Sequence, residues 1–364
     1  MIHIKDTKKI QLNSTERTAV ALGKFDGIHQ GHMLLIEQVL KLQKQGYMGV
    51  VFTFDMRENH VFDVSNMKTI YTSEEKAQVV SDTGVDVLVE YPFDDAFAAT
   101  EPEAFIRDIL VGMMRAGYVV VGSDYRFGRD RKGDVETLKS HAEEYGYKVI
   151  VIDKLEQDDE VVSSTVIRRN ISEGDVRAVI PMLGRPYSMT GEVVSGKQLG
   201  RTIGIPTANM LPQDHKLYPP AGVYASRIKI VKGEHAGHED PFRMYMGITN
   251  IGDNPTVNDN GNITIETNIF DFDRDIYGNI IKVELIQKIR GEKKFAGIEE
   301  LKKQMSNDID AAKKIIDTWD KVCNQGYAGL IGLDADFSGN IIGKNFPEGM
   351  IDTTLGEYYA AGGV

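Results

Sequence analysis

Apolar residues in the first half of the chain follow two spacings in turn, one typical of buried strands and one typical of amphipathic helices. Strands separated by helices favour a doubly wound parallel sheet, whose ligands bind at the carboxyl ends of the strands. The predicted strands are Ala19–Leu22, Val50–Phe54, Val85–Val89, Val119–Val121 and Lys148–Ile152. The predicted helices are Met33–Gln43, Ser73–Ser81, Pro102–Met114 and Asp134–Glu144.

The pattern changes near residue 184, where Leu183–Tyr187 is typical of a hinge. Beyond it, short segments punctuated by Gly, Pro and Asn favour a small antiparallel barrel, and Ile298–Thr318 has the pattern of an amphipathic helix. We therefore expect domains over residues 1–183 and 184–318, and a tail over 319–364 to which no role is assigned. The predicted barrel strands are Ser188–Val194, Gly222–Val231, Phe242–Thr249, Asn262–Phe270 and Ile280–Ile286.

Composition narrows the class of protein. The chain has 364 residues, of which 41% are hydrophobic and 26% charged, which is ordinary for globular domains. A formal charge of −12 argues against sequence-independent nucleic-acid binding, which needs Lys and Arg to neutralise phosphates. Cys323 is the only cysteine, so neither an intramolecular disulfide nor a Cys-rich zinc site is expected. The first residues do not form a secretory signal and no apolar run is long enough to span a bilayer, so we expect a cytoplasmic protein with no nucleic-acid or membrane partner.

The most informative stretch joins the first clear strand to the first helix. It reads Gly23-Lys24-Phe25-Asp26-Gly27-Ile28-His29-Gln30-Gly31-His32. Such a turn offers free backbone N–H groups and the positive end of a helix dipole to a phosphate. The two histidines add donors that titrate near neutral pH. This stretch therefore predicts a site for the phosphates of a nucleotide, with Gly23, Phe25, Asp26, Gly27 and Gly31 as binding residues.

The element His-x-Gly-His resembles that of nucleotidylyltransferases with a Rossmann-like core. The longer string is similar to the FMN adenylyltransferase half of the bacterial bifunctional riboflavin kinase/FAD synthetase family. Residues 122–128, with Tyr125 in place of Phe, and residues 162–168 are similar to two further motifs of that family. The resemblance implies a Rossmann-like domain that adenylylates FMN with ATP, giving FAD and pyrophosphate.

The resemblance also assigns roles within this first site. His29 and His32 are expected to stabilise charge on the α-phosphoryl group, and Arg168 to bind the outer phosphates. A magnesium ion is expected to accompany the ATP. The residues expected at the phosphates also include Ser163, Ser164 and Thr165. The residues expected at the flavin are Asp124, Tyr125, Arg126, Phe127 and Gly128.

A second set of motifs lies beyond the hinge. Residues 200–209 contain Gly204-Ile205-Pro206-Thr207-Ala208-Asn209, which resembles the Gly-x-Pro-Thr-Ala-Asn motif of riboflavin kinases. The resemblance implies a barrel that phosphorylates riboflavin to FMN, with Thr207 and Asn209 as magnesium ligands and Glu266 as general base. The residues expected at ATP are Gly200, Arg201, Gly204 and Pro206. The residues expected at the flavin are Asn250, Arg290 and Glu292.

Three departures from the family pattern keep alternatives open. Met56-Arg57-Glu58 replaces a Pro-His-Pro segment, Asn268 stands where His is common, and Gly291 stands where Pro is common. The main hypothesis is a bifunctional enzyme with riboflavin, FMN, FAD and ATP as substrates and products; no oligomeric state is predicted. The runner-up is a riboflavin kinase whose first domain has decayed into a flavin- or nucleotide-binding module. A transferase acting on another phosphate acceptor and a non-enzymatic flavin-binding or regulatory protein are the remaining alternatives.

Overall fold

The computed structural model describes residues 1–10, 12, 16–55, 68–157, 160–196, 200, 204–232, 243–254 and 262–323. The Met56-Arg57-Glu58 segment, the predicted ATP-binding residue Arg201 and most of the tail lie outside these residues. Within them, a parallel sheet with helices is followed by a closed antiparallel barrel and one long helix, which confirms the predicted fold class.

The first half forms a six-stranded parallel sheet with the strand order β1-β4-β3-β2-β5-β6. All five residues of β2 are buried, which explains why it is the clearest apolar run of the sequence. The strand order reverses between β2 and β5, so a ligand site is expected where these strands end. The strands are β1 Ile2–Ile4, β2 Thr18–Leu22, β3 Met48–Asp55, β4 Val87–Pro92, β5 Ala116–Gly122 and β6 Lys148–Ile152.

The helices of this half match the predicted positions but not always the predicted form. The segment predicted as one helix over Pro102–Met114 begins as an α-helix and continues as a π-helix. The segment predicted over Asp134–Glu144 breaks at His141, whose Nδ1 lies 2.9 Å from the carbonyl of Thr137, because side-chain bonds to the backbone compete with helical ones. The helices are α1 Gln30–Gln43, α2 Ser73–Asp82, α3 Asp95–Ala98, α4 Pro102–Ala104 with its π-helical continuation Phe105–Met113, α5 Val135–Ser140, α6 Ala142–Tyr145, α7 Ser164–Glu173 and α8 Val179–Leu183. The first half also contains two short segments, the 3₁₀-helix Arg129–Arg131 and the hairpin of β7 Glu156–Gln157 and β8 Glu160–Val161.

The second half forms a closed barrel with the strand order β10-β13-β12-β11-β14-β9, in which every neighbouring pair is antiparallel. Four predicted strands appear in place, and Phe242, where the fifth was predicted to begin, lies outside the described residues. The short strand β10 was not predicted, because three residues are too few to show a period. The strands are β9 Tyr187–Val194, β10 Ala208–Met210, β11 Gly222–Lys232, β12 Tyr245–Asn254, β13 Asn262–Ile269 and β14 Ile280–Arg290.

The long helix α9, Ile298–Val322, packs on the outside of the barrel. Its buried residues Ala312 and Ile316 contact apolar residues of β11 and β12, among them Val223 and Ile248. None of the helices in the described part of the chain is long and apolar enough to cross a membrane.

One buried apolar cluster contains residues of both halves. Ile167 and Ile171 of α7 and Val179 of α8 belong to the same buried cluster as Tyr187 and Val283 of the barrel. The helices that precede the predicted hinge therefore pack on the barrel. The predicted domain boundary between residues 183 and 184 stays a prediction.

Candidate active sites

The turn after β2 has an unusual backbone. Phe25 and Ile28 adopt left-handed φ values of 47° and 43°, and Gly27 adopts 82°. Both non-glycine side chains are completely buried, so their packing holds a conformation that is otherwise disfavoured. Two hydrogen bonds brace the turn: Thr53 Oγ1 donates to the carbonyl of Lys24 at 2.7 Å, and the N–H of Ile70 donates to Asp26 Oδ1 at 2.9 Å. Backbone strain held in this way clusters at functional sites.

His29 and His32 stack on each other at the start of α1. Their ring centroids lie 3.8 Å apart with an interplanar angle of 27°, and the ring of Phe25 lies 5.0 Å from that of His32. Burial, and secondarily the charge of Arg185, lowers the pKa of His29 to about 4. Burial and the neighbouring His29 lower the pKa of His32 as well. Both rings are therefore neutral at pH 7, and each offers one N–H donor rather than a positive charge.

The dipole of α1 supplies the positive electrostatic potential that the neutral histidines do not. The first turn of α1 contains no acidic residue, and its N-cap His29 makes no side-chain capping bond. The N–H groups of that turn therefore remain available to an anion. In both histidines Nδ1 is buried without a hydrogen-bond partner among the described residues, so ring nitrogens are also unused.

The third predicted motif meets the first. Arg168 of α7 binds the carboxylate of Asp26 and the carbonyl of Lys68. Ser164 Oγ donates to the carbonyl of Asp26 at 2.8 Å. Ser163 caps α7 by accepting the N–H of Val166 at 3.4 Å, and Thr165 is exposed. The predicted phosphate-binding residues 23–31 and 163–168 thus form one cluster.

The turn after β5 lies next to this cluster, because β5 is the sheet neighbour of β2. Asp124 pairs with Lys154 at 3.0 Å and Arg126 with Asp134 at 3.0 Å, and all four are at least partly exposed. Phe127 is buried in the core of the sheet domain and stacks on Tyr125 at 5.7 Å. Gly128 adopts φ 70°, and a Cβ there would lie 2.9 Å from Cγ of Pro102. The turn therefore combines a rigid aromatic base with an exposed polar edge.

Two further cations, Lys24 and Arg131, lie beside the turn. Burial, and then the charges of Arg131 and Arg168, lower the pKa of Lys24. Arg131 and its neighbour Asp130 both adopt left-handed φ, at 56° and 54°. Lys24, Arg131 and Arg168 therefore place several positive charges near one strained turn, an arrangement that suits a polyphosphate.

In the barrel, strand register brings three predicted residues together. Glu266 of β13 is directly opposite Asn209 of β10 and Asn250 of β12. Residues that are directly opposite in neighbouring strands share one face of the sheet. On β13, the neighbours of Glu266 are Ile265 and Thr267, and both are buried inside the barrel. The row that contains Glu266 therefore lies on the outer surface of the barrel. All three row residues are partly buried, and within the described residues the Glu266 carboxylate has no ion-pair partner.

The row ends at an ion pair with α9. Arg290 of β14 is opposite Val223, which is itself opposite Asn250. Arg290 Nε and Nη2 donate to Asp308 Oδ2 at 3.0 and 2.8 Å, and the Asp308 side chain is only 2% exposed. Arg290 thus fastens α9 to the barrel. Glu292, the third residue expected at the flavin in this domain, is exposed just beyond it.

A cavity of about 450 Å³ is lined by Thr267 and Ile269, which lie on the inner face of β13, whereas Glu266 lies on its outer face. One wall is the predicted ATP loop, with Gly204, Pro206 and Thr207, and the opposite wall comes from residues 272–277. Asn268 holds the first wall in place, because its Nδ2 donates to the carbonyl of Pro206 at 2.7 Å. Gly200 lies at the base of the same loop, where its carbonyl accepts the N–H of Ile205 at 2.9 Å.

Comparison with known proteins identifies both halves. A family model described as FAD synthetase matches residues 11–166, and one described as riboflavin kinase matches residues 183–316. The chain is 34% identical over 316 residues to the bifunctional riboflavin kinase/FMN adenylyltransferase of Bacillus subtilis (strain 168), which covers 85% of this chain and 96% of that protein. The protein of the same name from Escherichia coli (strain K12) is 33% identical over 303 residues, 82% of this chain and 93% of that protein. The chain belongs to the family of bifunctional riboflavin kinases/FMN adenylyltransferases.

A solved structure shares the fold of most of the chain. A crystal structure from Streptococcus pneumoniae, whose title names a macrolide-efflux protein, superposes with a TM-score of 0.74 at 31% identity. It covers 86% of this chain and 98% of its own. The presence of both family parts favours the bifunctional hypothesis over the kinase-only alternative.

Sequence reasoning missed several residues of both parts. In the adenylyltransferase part, Phe54 and Phe97 present partly exposed rings 5.6 Å apart where β3 ends. In the kinase part, the cavity wall includes Asp273 and Arg274, which were not singled out, and Tyr277, to which no role was assigned. The signals in the sequence were Thr53-Phe54-Asp55 and Asp275-Ile276-Tyr277-Gly278, two strings that resemble family segments and to which no role was assigned.

Proposed function

We propose that FMN adenylyl transfer takes place at the turn after β2. The observation that carries this proposal is the stacked, neutral His29–His32 pair at the N-terminus of α1, with Arg168 alongside. An FMN phosphate oxygen attacks the α-phosphorus of ATP, the bond to the β-phosphate oxygen breaks, and pyrophosphate leaves. The histidine N–H groups and the first turn of α1 donate to the α-phosphoryl oxygens, on which charge develops. Lys24, Arg131 and Arg168 supply positive charge for the departing pyrophosphate.

We propose that riboflavin phosphorylation takes place on the Asn209–Glu266–Asn250 row. Glu266 accepts the proton of the riboflavin 5′-hydroxyl as that oxygen attacks the γ-phosphorus of ATP, and ADP leaves. A partly buried carboxylate without an ion-pair partner in the described structure is suited to that task. The cavity lined by Pro206 and Thr207 of the ATP loop is large enough for part of a nucleotide.

The kinase part also offers ligands of the right chemistry for magnesium. Thr207 and Asn209 contribute a hydroxyl and an amide oxygen, the hard donors that magnesium prefers, and substrate phosphates complete such sites. The backbone at Gly196 packs against the Asn209 amide, since a Cβ there would lie 2.3 Å from its Nδ2, so the amide is held in place. The ion supplies charge neutralisation at the phosphates when it is bound. No group of three or more His, Cys, Asp or Glu residues in the described structure forms a competing metal site.

One experiment tests both proposals. Purified protein is incubated with riboflavin and Mg-ATP, and the flavins are separated by chromatography over time. We expect FMN to appear first and FAD to follow. FMN without FAD would contradict the first proposal and point to the Met56-Arg57-Glu58 segment. Absence of both products, with FMN supplied in a parallel reaction, would contradict both.

A further inference from the structure

Arg185 joins the predicted hinge to the adenylyltransferase turn. Its Nη2 donates to the carbonyls of Gly27 at 2.8 Å and Ile28 at 3.1 Å, and its Nη1 donates to the carbonyl of Leu183 at 2.9 Å. Gly27 and Ile28 are two of the strained residues, and they directly precede His29. The planar guanidinium thus bridges the linker and the turn, which makes this residue an anchor rather than part of a loose hinge.

Gly184 allows the linker to come this close. It adopts a left-handed φ of 71°, and a Cβ at this position would lie 1.7 Å from Nε2 of Gln30. Gln30 is buried and is the first residue of α1. Only glycine satisfies both the backbone conformation and the close approach. The linker therefore packs directly against the end of α1 that carries the two histidines.

Lys216 makes a second connection from the barrel side. Its side chain is completely buried, its Nζ donates to the carbonyl of Ile70 at 3.0 Å, and it forms an ion pair with Glu75. The ammonium lies 5.1 Å from the ring centroid of Tyr71 and 4.8 Å from that of Tyr187. A buried charge of this kind persists only when its partners hold it in one geometry, so Lys216 fixes the position of Ile70.

Hydrogen bonds of Thr69 and Ile70 connect the barrel to the adenylyltransferase turn. The N–H of Thr69 donates to the carbonyl of His215 at 2.6 Å, and the N–H of Leu217 donates to the carbonyl of Thr69 at 2.8 Å. The N–H of Ile70 then donates to Asp26 Oδ1 at 2.9 Å. A continuous chain of hydrogen bonds therefore runs from the barrel to the carboxylate that binds Arg168.

We propose that Arg185 and Lys216, which both lie in the stretch matched by the riboflavin kinase model, are positioning residues for adenylyl transfer. They act through the turn and through Ile70, and they do not touch the reacting groups. A displacement of about 1 Å in a catalytic group can cost on the order of 100-fold in rate. A strained turn is free to relax when its anchors are removed. This inference rests on the proposed location of adenylyl transfer at the His29–His32 pair.

The test uses the full-length chain and the substitution Arg185→Lys. Lysine keeps the positive charge but cannot reproduce the fork that binds two carbonyls at once. We expect kcat for conversion of FMN to FAD to fall on the order of 10- to 100-fold, with KM for FMN and ATP changed by less than about 3-fold. Riboflavin phosphorylation by the same preparation is expected to stay within about 2-fold of the unaltered chain. A merely structural defect would instead lower both activities in proportion to the folded fraction.

A matched control and a second variant complete the test. Arg227→Lys alters an arginine of β11 that pairs with Asp320 of α9 at 3.3 Å, and it should leave the ratio of the two activities unchanged. The double variant Lys216→Met with Glu75→Gln removes both buried charges together and should also lower adenylyl transfer selectively.

The results distinguish the positioning role of Arg185 and Lys216 from the proposed location of adenylyl transfer. Full adenylyl transfer by the Arg185→Lys protein, or equal loss of both activities, would overturn the positioning role. If His32→Ala leaves FAD formation intact, the proposed site itself fails. Loss in the His32→Ala protein without loss in the Arg185→Lys protein would overturn only the positioning role.

Discussion

Asn268 donates a hydrogen bond from its side-chain amide to the carbonyl of Pro206, across 2.7 Å. The donor is a buried residue of β13, two positions after Glu266, and the acceptor directly precedes Thr207. One hydrogen bond therefore fixes the distance between the strand that carries the proposed base and the loop that carries a proposed magnesium ligand. It also gives a role to a residue that departs from the family pattern, since His is common at this position.

This relationship predicts that Asn268→Leu weakens nucleotide binding in the kinase part. Leucine fills a similar volume but cannot donate, and the loss of one neutral hydrogen bond is worth about 1 kcal/mol. We expect KM for ATP in riboflavin phosphorylation to rise about 5-fold, as that energy implies. Initial rates at varied ATP measure it, with adenylyl transfer by the same protein as the internal control. Asn268→His retains a donor and should stay close to the unaltered chain; an equal defect in both variants would argue against the hydrogen bond as the cause.

Glu266→Gln is predicted to suppress FMN formation and to leave conversion of FMN to FAD intact. The amide keeps the size and polarity of the side chain but cannot accept the proton of the 5′-hydroxyl. A loss on the order of 10²–10⁴-fold in kcat is typical of a missing general base. Steady-state phosphorylation of riboflavin measures it. Glu192→Gln, at an exposed carboxylate of β9, is the matched control and should be silent; normal phosphorylation by Glu266→Gln would remove the base role.

His32→Ala is predicted to have the opposite selectivity. Loss of one donor to a developing oxyanion commonly costs about 10²–10³-fold in kcat. FAD formation from FMN should fall by that factor, while phosphorylation of riboflavin persists. His141→Ala, which removes a histidine between α5 and α6, should affect neither activity. Equal loss of both products in the His32→Ala protein would show that the residue supports folding rather than adenylyl transfer.

The sequence predicted the parts of this molecule that depend on local pattern. The buried strand Thr18–Leu22 shows as an apolar run, and the barrel was foreseen from its turn residues. The histidine turn was recognised because its chemistry lies within ten consecutive residues. The row on the barrel surface was assembled only by register, since Asn209 and Glu266 are 57 positions apart and belong to strands that pair only in the closed barrel.

What the sequence did not predict depends on contacts between the two halves. Arg185 was part of a predicted hinge, and Lys216 is one more lysine in a polar loop. Their roles arise from burial and from acceptors 158 and 146 positions away. The neutral state of the histidines is likewise a property of packing, because a free imidazole titrates near pH 6.5.

The depressed pKa of His29 predicts a loss of stability in acid. Its pKa is about 4 in the folded chain against an ordinary 6.5, so the unfolded state binds the proton more tightly. The contribution is fully present above pH 6.5 and is lost as the pH falls from there toward 4. Between pH 7 and pH 5 the loss from this one group is about 2 kcal/mol. Urea unfolding of the unaltered and His29→Gln proteins at both pH values measures it, and identical pH dependence in the two would contradict the prediction.

The ion pair between Arg290 and Asp308 predicts how α9 is held on the barrel. Asp308 is nearly inaccessible and accepts bonds from Arg290 Nε and Nη2, and Gln304 Nε2 donates to its Oδ1 at 2.9 Å. Asp308→Ala leaves a partly buried guanidinium without its carboxylate, and breaking such a pair costs about 3 kcal/mol.

Urea unfolding should therefore show a lower midpoint for Asp308→Ala with an unchanged m-value. Asp317→Ala is the matched control, because it removes an exposed carboxylate from the same helix and is expected to change the free energy of unfolding by less than about 0.5 kcal/mol. The double variant Arg290→Met with Asp308→Leu should recover much of the lost stability, since apolar residues of similar size often replace a buried ion pair without cost. If the single and double variants were equally destabilised, the cost would lie in packing around α9 and not in the unpaired guanidinium.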